Sequence, residues 1–187
     1  MTQNRHPNLL RRQDTCLLVI DVQERFRAHI DGFEEMVKNI VILVKVANIL
    51  RLPIVLTEQS PQKLGPSVKG ITAEIDVPII IAKNSFSCCQ EQSFVKHLQE
   101  LKRKQILTAG IETHVCVNQT VHGLLNLGYQ VHLAIDAISS RQPINKKAGM
   151  KKMLHSGAII SSVELATLEL LETADNPEFK QIQSLIK

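Results

Sequence analysis

The sequence predicts an α/β fold, in which one three-layer, doubly wound domain over residues 1–187 holds a mostly parallel six-stranded sheet between two layers of helices. Short continuous apolar runs, typical of buried parallel strands, alternate with segments whose apolar residues recur at helical spacing. The sequence also has no internal repeat and no sharp change of composition that would indicate a second domain.

In the first half of the chain, three apolar runs predict strands. Strand one ends in the carboxylate of Asp21, and strand three ends at Lys83. Pro53 stops a crossover helix that has one apolar face, and a loop rich in Pro, Gly and Lys follows strand two. The predicted elements are strands at 16–21, 54–57 and 77–82 and helices at 33–50 and 90–102.

The same alternation continues in the second half. Gly110 permits a tight turn after strand four, Gly128 closes the next helix, and Ser161 with Glu164 predicts a capping box. The predicted elements are strands at 106–109, 131–135 and 158–160, helices at 113–127 and 145–155, a helix opened by Ser161, and a last helix from Asn176-Pro177.

Composition narrows the class of protein. With 44% hydrophobic residues the chain can bury a sizeable core without disulfides or metals. The four cysteines show no CxxC pair, and the amino terminus lacks the apolar stretch of a signal peptide, so we expect reduced thiols, a cytoplasmic location and no membrane partner. A scattered net charge of +4 with one Tyr and no Trp predicts no nucleic-acid partner.

Three polar residues stand where ligands bind in open parallel sheets, beyond the carboxyl ends of the strands. Asp21 and Lys83 follow strands one and three, and Cys116 lies at the start of the helix after strand four. A cysteine in a first helical turn faces unpaired amides and the positive end of the helix dipole, which favour the thiolate. The sequence therefore predicts Cys116 as nucleophile, Asp21 as base and Lys83 as the stabilising cation.

Each of these residues also has an ordinary structural interpretation. Cys116 fits a buried thiol, Asp21 a helix cap, and Lys83 a solvated strand end. His114 lies two positions from Cys116 on the predicted helix, where side chains do not face one another, so we assign it a structural role.

Four motifs, LLVIDVQERF, LTEQSPQKLGP, AKNSFS and AGIETHVCVNQT, resemble those of the isochorismatase-like cysteine hydrolases in order and spacing. Later stretches, such as VHLAIDAISSR, resemble the subgroup of isochorismatase domain-containing proteins. The resemblance implies a catalytic triad of Asp21 (general base), Lys83 (electrostatic partner) and Cys116 (nucleophile). It also implies a non-proline cis peptide at Ile111–Glu112, which orients the amides of Glu112 and Cys116 as an oxyanion hole.

Two departures within the superfamily narrow the implied chemistry. Nicotinamidase-like members carry an Asp-x-His metal site where this chain has Thr57-Glu58-Gln59, so we predict no metal and no other cofactor. Isochorismate vinyl-ether hydrolases lack the nucleophilic cysteine that is present here. By the same correspondence the substrate-binding residues are Phe26, Gln23, Gln59 and Phe86, although Phe26 also fits core packing.

Three functional hypotheses follow. The leading one is a cysteine hydrolase that cleaves a C–N bond of a small amide-like or ureido-like molecule through a thioester on Cys116. The second is a catalytically idle scaffold, acting as a homo-oligomer (dimer or larger) through apolar C-terminal residues that could equally cover their own sheet: Leu168, Leu171, Phe179, Ile182 and Leu185. The third is thiol redox chemistry at Cys116 with the Cys88-Cys89 pair.

Overall fold

A computed structural model describes residues 5–187 and contains one six-stranded sheet. Its strands are β1 (Thr15–Ile20), β2 (Ile54–Gln59), β3 (Ile79–Lys83), β4 (Gln105–Gly110), β5 (Gln130–Ile138) and β6 (Ile159–Ser161). They lie in the order β3-β2-β1-β4-β5-β6, and every neighbouring pair is parallel. The α/β fold predicted from the alternation of apolar runs and amphipathic segments is therefore confirmed.

Helices connect these strands and cover both faces of the sheet. They are α1 (Phe33–Ile49), α2 (Pro61–Leu64), α3 (Lys69–Thr72), α4 (Gln92–Leu101), α5 (Asn118–Asn126), α6 (Pro143–His155), α7 (Val163–Leu171) and α8 (Phe179–Gln183). Within the described chain, none of them combines the length and apolar character needed to cross a bilayer.

Two apolar cores lie on opposite faces of the sheet. On one face α1 contributes Met36, Ile40 and Val44 to a core that also includes residues of α7. On the other face Phe94 of α4 and Val121 of α5 pack against the sheet. Because both faces are covered, the central strands β1 and β4 are buried along their whole length and are mostly apolar rather than alternating.

The direction of winding reverses between β1 and β4, which are neighbours in the sheet although two strands separate them in sequence. Ile20, the last residue of β1, pairs with Gly110, the last residue of β4. A Cβ at Gly110 would overlap the Ile20 carbonyl, and its φ of 118° also favours glycine. The two strand ends therefore meet at the switch point, where doubly wound sheets bind ligands.

Several element boundaries differ from the predicted ones. The segment predicted as a helix from residue 113 begins with a π-helical turn, Thr113–Val117, before α5. Ser162, not Ser161, caps α7, because Ser161 ends β6 while the Ser162 hydroxyl accepts a hydrogen bond from the Leu165 N–H. Lys83 belongs to β3 itself rather than following it.

The apolar C-terminal residues mostly cover their own chain. Leu171 and Ile182 are buried in the core on the α1 face, and Phe179 and Leu185 pack against it. Leu168 is 44% exposed. Of the two alternatives that the sequence left open for this segment, packing within the chain accounts for four of the five residues.

His132 on β5 makes the folding equilibrium pH-dependent. It is completely buried, and this burial lowers its pKa from 6.5 to about 4. Its Nε2 lies 3.3 Å from Gln130 Oε1, whereas Nδ1 has no partner among the described residues. As pH falls below 6.5 the unfolded chain binds this proton first, so protonation favours unfolding.

We therefore expect the free energy of unfolding to fall between pH 6.5 and pH 4 by up to about 3 kcal/mol on account of His132. Urea denaturation at a series of pH values measures this contribution. The His132→Leu variant should lose that part of the pH dependence. Parallel stability curves for the variant and the wild type would contradict the assignment.

Candidate active site

The structure brings Asp21, Lys83 and Cys116 to the carboxyl edge of the sheet around the switch point. Asp21 follows β1, Lys83 is the last residue of β3, and Cys116 lies in the π-helical turn after β4. Asp21, Lys83 and Cys116 are 2%, 3% and 7% exposed to solvent, respectively. Three residues far apart in sequence are therefore close together in a largely desolvated place.

Asp21 and Lys83 form a buried ion pair. Lys83 Nζ donates to Asp21 Oδ2 at 2.6 Å, to Gln59 Oε1 at 2.6 Å and to the Ser85 carbonyl at 3.2 Å. Burial is the largest single cause and lowers the pKa of Lys83, but the charge of Asp21, the hydrogen bond to it and the nearby Cys116 and Cys88 together outweigh burial, so the pKa is raised. The ammonium thus keeps its proton and uses all three of its donors.

Cys116 is held as a thiol in this resting state. Burial is the largest cause that raises its pKa, and the charge of Asp21 together with a hydrogen bond to that carboxylate raises it further. The charge of Lys83 lowers the pKa of Cys116 but does not outweigh burial and Asp21. The expectation of a thiolate is therefore wrong for the free site, because the helical-turn argument omitted burial and the adjacent carboxylate.

A second thiol lies behind the carboxylate. Thr57 on β2 donates its hydroxyl to Asp21 Oδ1 at 2.7 Å, and Cys88 Sγ lies 3.7 Å from the Thr57 hydroxyl oxygen. Cys88 belongs to the short 3₁₀ turn Cys88–Gln90, and it is fully buried. Nothing in the spacing of the residues places Cys88 near the site; the packing of this turn against β2 brings it there.

A cleft of about 510 Å³ opens above Cys116. Three of the predicted substrate-binding residues, Phe26, Gln59 and Phe86, line it. The fourth, Gln23, does not: it is fully buried, and its amide donates to the carbonyls of Gln59 and Gly65 while accepting from the Gln59 N–H. Gln23 holds the wall of the cleft from behind instead.

Sequence reasoning missed several residues of this cleft. They include His29, Leu64, Val115 and Arg141. Arg141 stands on the loop after β5 and forms an ion pair with Glu112, from its Nε to Oε2 at 3.1 Å. The position of that loop at the same carboxyl edge of the sheet could have indicated Arg141, because ligands bind along this edge.

The backbone beside Cys116 has the conformation that the family resemblance implies. The Ile111–Glu112 peptide is cis. Among residues 5–187 the Glu112 N–H donates to no protein acceptor, and it borders the same cleft as Cys116. Helix α6 packs closely on the turn, since a Cβ at Gly149 would lie 2.7 Å from the Thr113 carbonyl oxygen. The role of the two amides as an oxyanion hole stays a prediction.

His114 lies outside the cleft lining. Its Nδ1 is 3.1 Å from the Ser140 hydroxyl, which ties the π-helical turn to the loop after β5. Within the described part of the chain, no group of three or more His, Cys, Asp or Glu side chains is arranged to hold a metal ion.

Comparison with known proteins gives the family. The protein-family profile described as "Isochorismatase domain" matches residues 15–164. The chain belongs to the isochorismatase family. This isochorismatase-family protein is similar to rat isochorismatase domain-containing protein 2, with 38% identity over 94% of this chain and 82% of the relative. It is also similar to a Phytophthora sojae protein named "Secreted isochorismatase effector Isc1", with 39% identity over 92% and 84%.

The fold of this isochorismatase-family chain agrees with that of a solved relative. A Caenorhabditis elegans structure described as MAR1 ribonuclease superposes with a TM-score of 0.91 and is 35% identical, covering 95% of this chain and 92% of its own. The agreement extends over nearly the whole of both chains. It establishes the isochorismatase-like α/β hydrolase architecture for this protein.

Proposed function

We propose that this isochorismatase-family protein is a cysteine hydrolase, which cleaves a C–N bond of a small amide-like or ureido-like substrate. The observation that carries the proposal is the Cys116 thiol in a cleft that the Asp21 carboxylate also lines, with Lys83 Nζ 2.6 Å from that carboxylate. A nucleophile, a base and a fixed cation in contact are what thiol-mediated acyl transfer requires.

The first half-reaction forms a thioester. Cys116 Sγ attacks the substrate carbonyl carbon while its proton passes to Asp21, and the carbonyl oxygen becomes an oxyanion that the Glu112 and Cys116 N–H groups bind. Asp21 then gives the proton to the nitrogen of the scissile bond. The bond breaks, the amine leaves, and the acyl group remains on the sulfur.

The second half-reaction releases the acid. Asp21 takes a proton from a water molecule that attacks the thioester carbonyl, and the tetrahedral intermediate expels the sulfur, which regains a proton from Asp21. Lys83 stays charged throughout, because its raised pKa disfavours proton loss. It stabilises the carboxylate form of Asp21 at the start and end of each half-reaction.

Gln59 favours a substrate with an N–H donor next to the reacting carbon. Its Nε2 donates to the Asn84 carbonyl at 2.8 Å and its Oε1 accepts from Lys83, so the amide cannot rotate freely. The Oε1 acceptor lies 4.0 Å from Cys116 Sγ and borders the cleft. An amide N–H can donate to it, whereas an ester oxygen would place two acceptors together.

The apolar walls favour a small, compact acyl group. Apolar side chains supply most of the exposed lining, namely Phe26, Leu64, Phe86, Ile111 and Val115. The polar residues of the lining, besides Cys116, are Asp21, His29, Gln59, Glu112 and Arg141. Clefts of a few hundred cubic ångströms with few polar groups fit small molecules rather than polymers. We therefore propose a small-molecule substrate and no nucleic-acid partner.

A panel of small amides and ureides, assayed by ammonia or amine release and by intact mass, tests the function. We expect turnover of at least one compound and an acyl adduct on Cys116 under single-turnover conditions. Matched esters of the same acids should have a kcat/KM lower by about tenfold or more, since their ester oxygen has no hydrogen to donate and would face the Gln59 acceptor. Neither turnover nor an adduct across the panel would contradict the proposal.

RNA hydrolysis is a second candidate, favoured by the description of the C. elegans relative as a ribonuclease. A labelled single-stranded RNA, incubated with the wild type and with the Cys116→Ala variant, separates the two functions. Cleavage of RNA that survives this substitution would favour a ribonuclease site elsewhere on the chain. If the wild type does not cleave RNA but turns over an amide, cysteine hydrolysis remains as the proposed function.

Thiol redox activity has less support. Burial raises the pKa of Cys88 to about 12 and that of Cys89 to about 11, which opposes the thiolate forms that oxidants attack. All four cysteines are free thiols, in keeping with the cytoplasmic location that we propose.

We also propose that the chain acts as a single hydrolase domain and forms a homo-oligomer. Edge strand β3 supports self-association, because Ile79 and Ile80 are exposed and Val77, just before it, is 81% exposed. A scaffold role independent of Cys116 would leave cellular function intact in the Cys116→Ala variant.

A further inference from the structure

Thr57 contacts the base of the proposed triad twice. It lies on β2 opposite Ile20, the residue before Asp21, and it is almost completely buried. The Thr57 carbonyl accepts from the Asp21 N–H at 3.1 Å, and the Thr57 hydroxyl donates to Asp21 Oδ1 at 2.7 Å. One residue therefore fixes both the backbone and the carboxylate of Asp21.

The direction of the Thr57 hydroxyl proton follows from its other neighbour. Cys88 Sγ lies 3.7 Å from the Thr57 oxygen, and this buried thiol keeps its own proton because burial raises its pKa to about 12. The thiol therefore acts as a donor to Thr57. The Thr57 hydroxyl is left to donate to Asp21, its acceptor within the described residues.

The two oxygens of Asp21 then have different partners. Oδ1 accepts from Thr57 and Oδ2 accepts from Lys83, so the carboxylate plane is fixed at both ends. Asp21 itself has a φ of 54°, in the left-handed region that non-glycine residues adopt only when their surroundings hold them there. Two side-chain donors and the bond from the Asp21 N–H supply that restraint.

We propose that Thr57 is a positioning residue, whose hydroxyl orients the Asp21 carboxylate toward Cys116 so that it can receive the thiol proton. This inference rests on the proposed function, in which Asp21 is the base. A hydrogen-bond donor to a carboxylate favours its charged form. Loss of the hydroxyl makes the carboxylate easier to protonate and freer to rotate. At a given pH, a smaller fraction of the protein then has an Asp21 carboxylate that can accept the thiol proton.

The titratable groups next to Asp21 are Lys83 from β3, Cys116 from the π-helical turn and Cys88 from the 3₁₀ turn. His29, Glu112 and Arg141 also line the same cleft. Lys83 and both thiols have raised pKa values, so none of them loses a proton in the acidic range. A shift of the acidic limb between the wild type and a Thr57 variant therefore reports on Asp21, because the substitution leaves the other groups of the cleft unchanged.

The test uses iodoacetamide as the probe and follows alkylation of Cys116 by peptide mapping across the acidic and neutral range. In Thr57→Val, which keeps the shape but lacks the hydroxyl, we expect the acidic limb to move to higher pH by about one to two units. The rate at neutral pH should fall by about tenfold through misorientation of the base. Thr57→Ser should restore the wild-type profile, which a loss of packing alone would not predict.

An unchanged acidic limb in a folded Thr57→Val variant would overturn the inference. If that variant does not fold, Thr57→Ala removes the same hydroxyl, and the same criterion applies to it. Asp21→Asn separates the two levels of the argument. Normal alkylation of Cys116 in Asp21→Asn would reject the role of Asp21 as the base. Slow alkylation in Asp21→Asn, together with a wild-type pH profile in Thr57→Val, would reject only the role of Thr57.

Discussion

The Cys116→Ala variant is expected to lose amide turnover by a factor on the order of 10⁴ or more. In the proposed mechanism the sulfur is the atom that forms the thioester, and the cleft offers no second thiol, because Cys88 lies behind Thr57 and is fully buried. The remaining groups could still bind the substrate, so KM should change much less than kcat. Turnover of the purified variant in the amide assay measures the loss.

Non-additivity provides the control for this prediction. In the proposed mechanism Asp21 and Cys116 act in one step, so the Asp21→Asn, Cys116→Ala double variant should be no slower than Cys116→Ala alone. Melting temperatures close to that of the wild type would show that the loss is not one of folding. Activity above about a tenth of the wild type in Cys116→Ala would reject the sulfur as nucleophile.

The Lys83→Met variant should lose both activity and stability. Removing the ammonium leaves the Asp21 carboxylate buried without its ion-pair partner, which costs about 3–5 kcal/mol of folding free energy for pairs of this kind. Without the cation the carboxylate is also easier to protonate, and a protonated Asp21 cannot accept the thiol proton. Urea denaturation and the amide assay give the two quantities separately.

The double variant Asp21→Asn, Lys83→Met distinguishes a structural from a catalytic role. It removes both buried charges, so its free energy of unfolding should recover part of the loss seen in Lys83→Met, whereas its activity should not recover. A Lys83→Met protein with wild-type stability would contradict the buried pair. Recovery of activity in the double variant would contradict the role of the pair in the reaction.

Much of the fold is encoded in local sequence patterns, and these patterns were sufficient to predict its strands. Apolar runs such as 16–21 and 106–109 are buried on both faces, so their continuous hydrophobicity indicates parallel strands whatever their neighbours are. The ends of elements were less predictable. Ser161 and Ser162 both fit a cap, and only the pairing of β6 with β5 decides that Ser161 belongs to the strand.

The sequence by itself also determined which residues could carry the chemistry, because the position of a polar residue after an apolar run is a local property. Tertiary structure decided what state those residues adopt. The raised pKa of the Cys116 thiol, the hydrogen bonds of Thr57 and Lys83 to Asp21, and the withdrawal of Gln23 behind the cleft wall all come from contacts between separate strands. Desolvation and charge act through space, so sequence spacing cannot supply them.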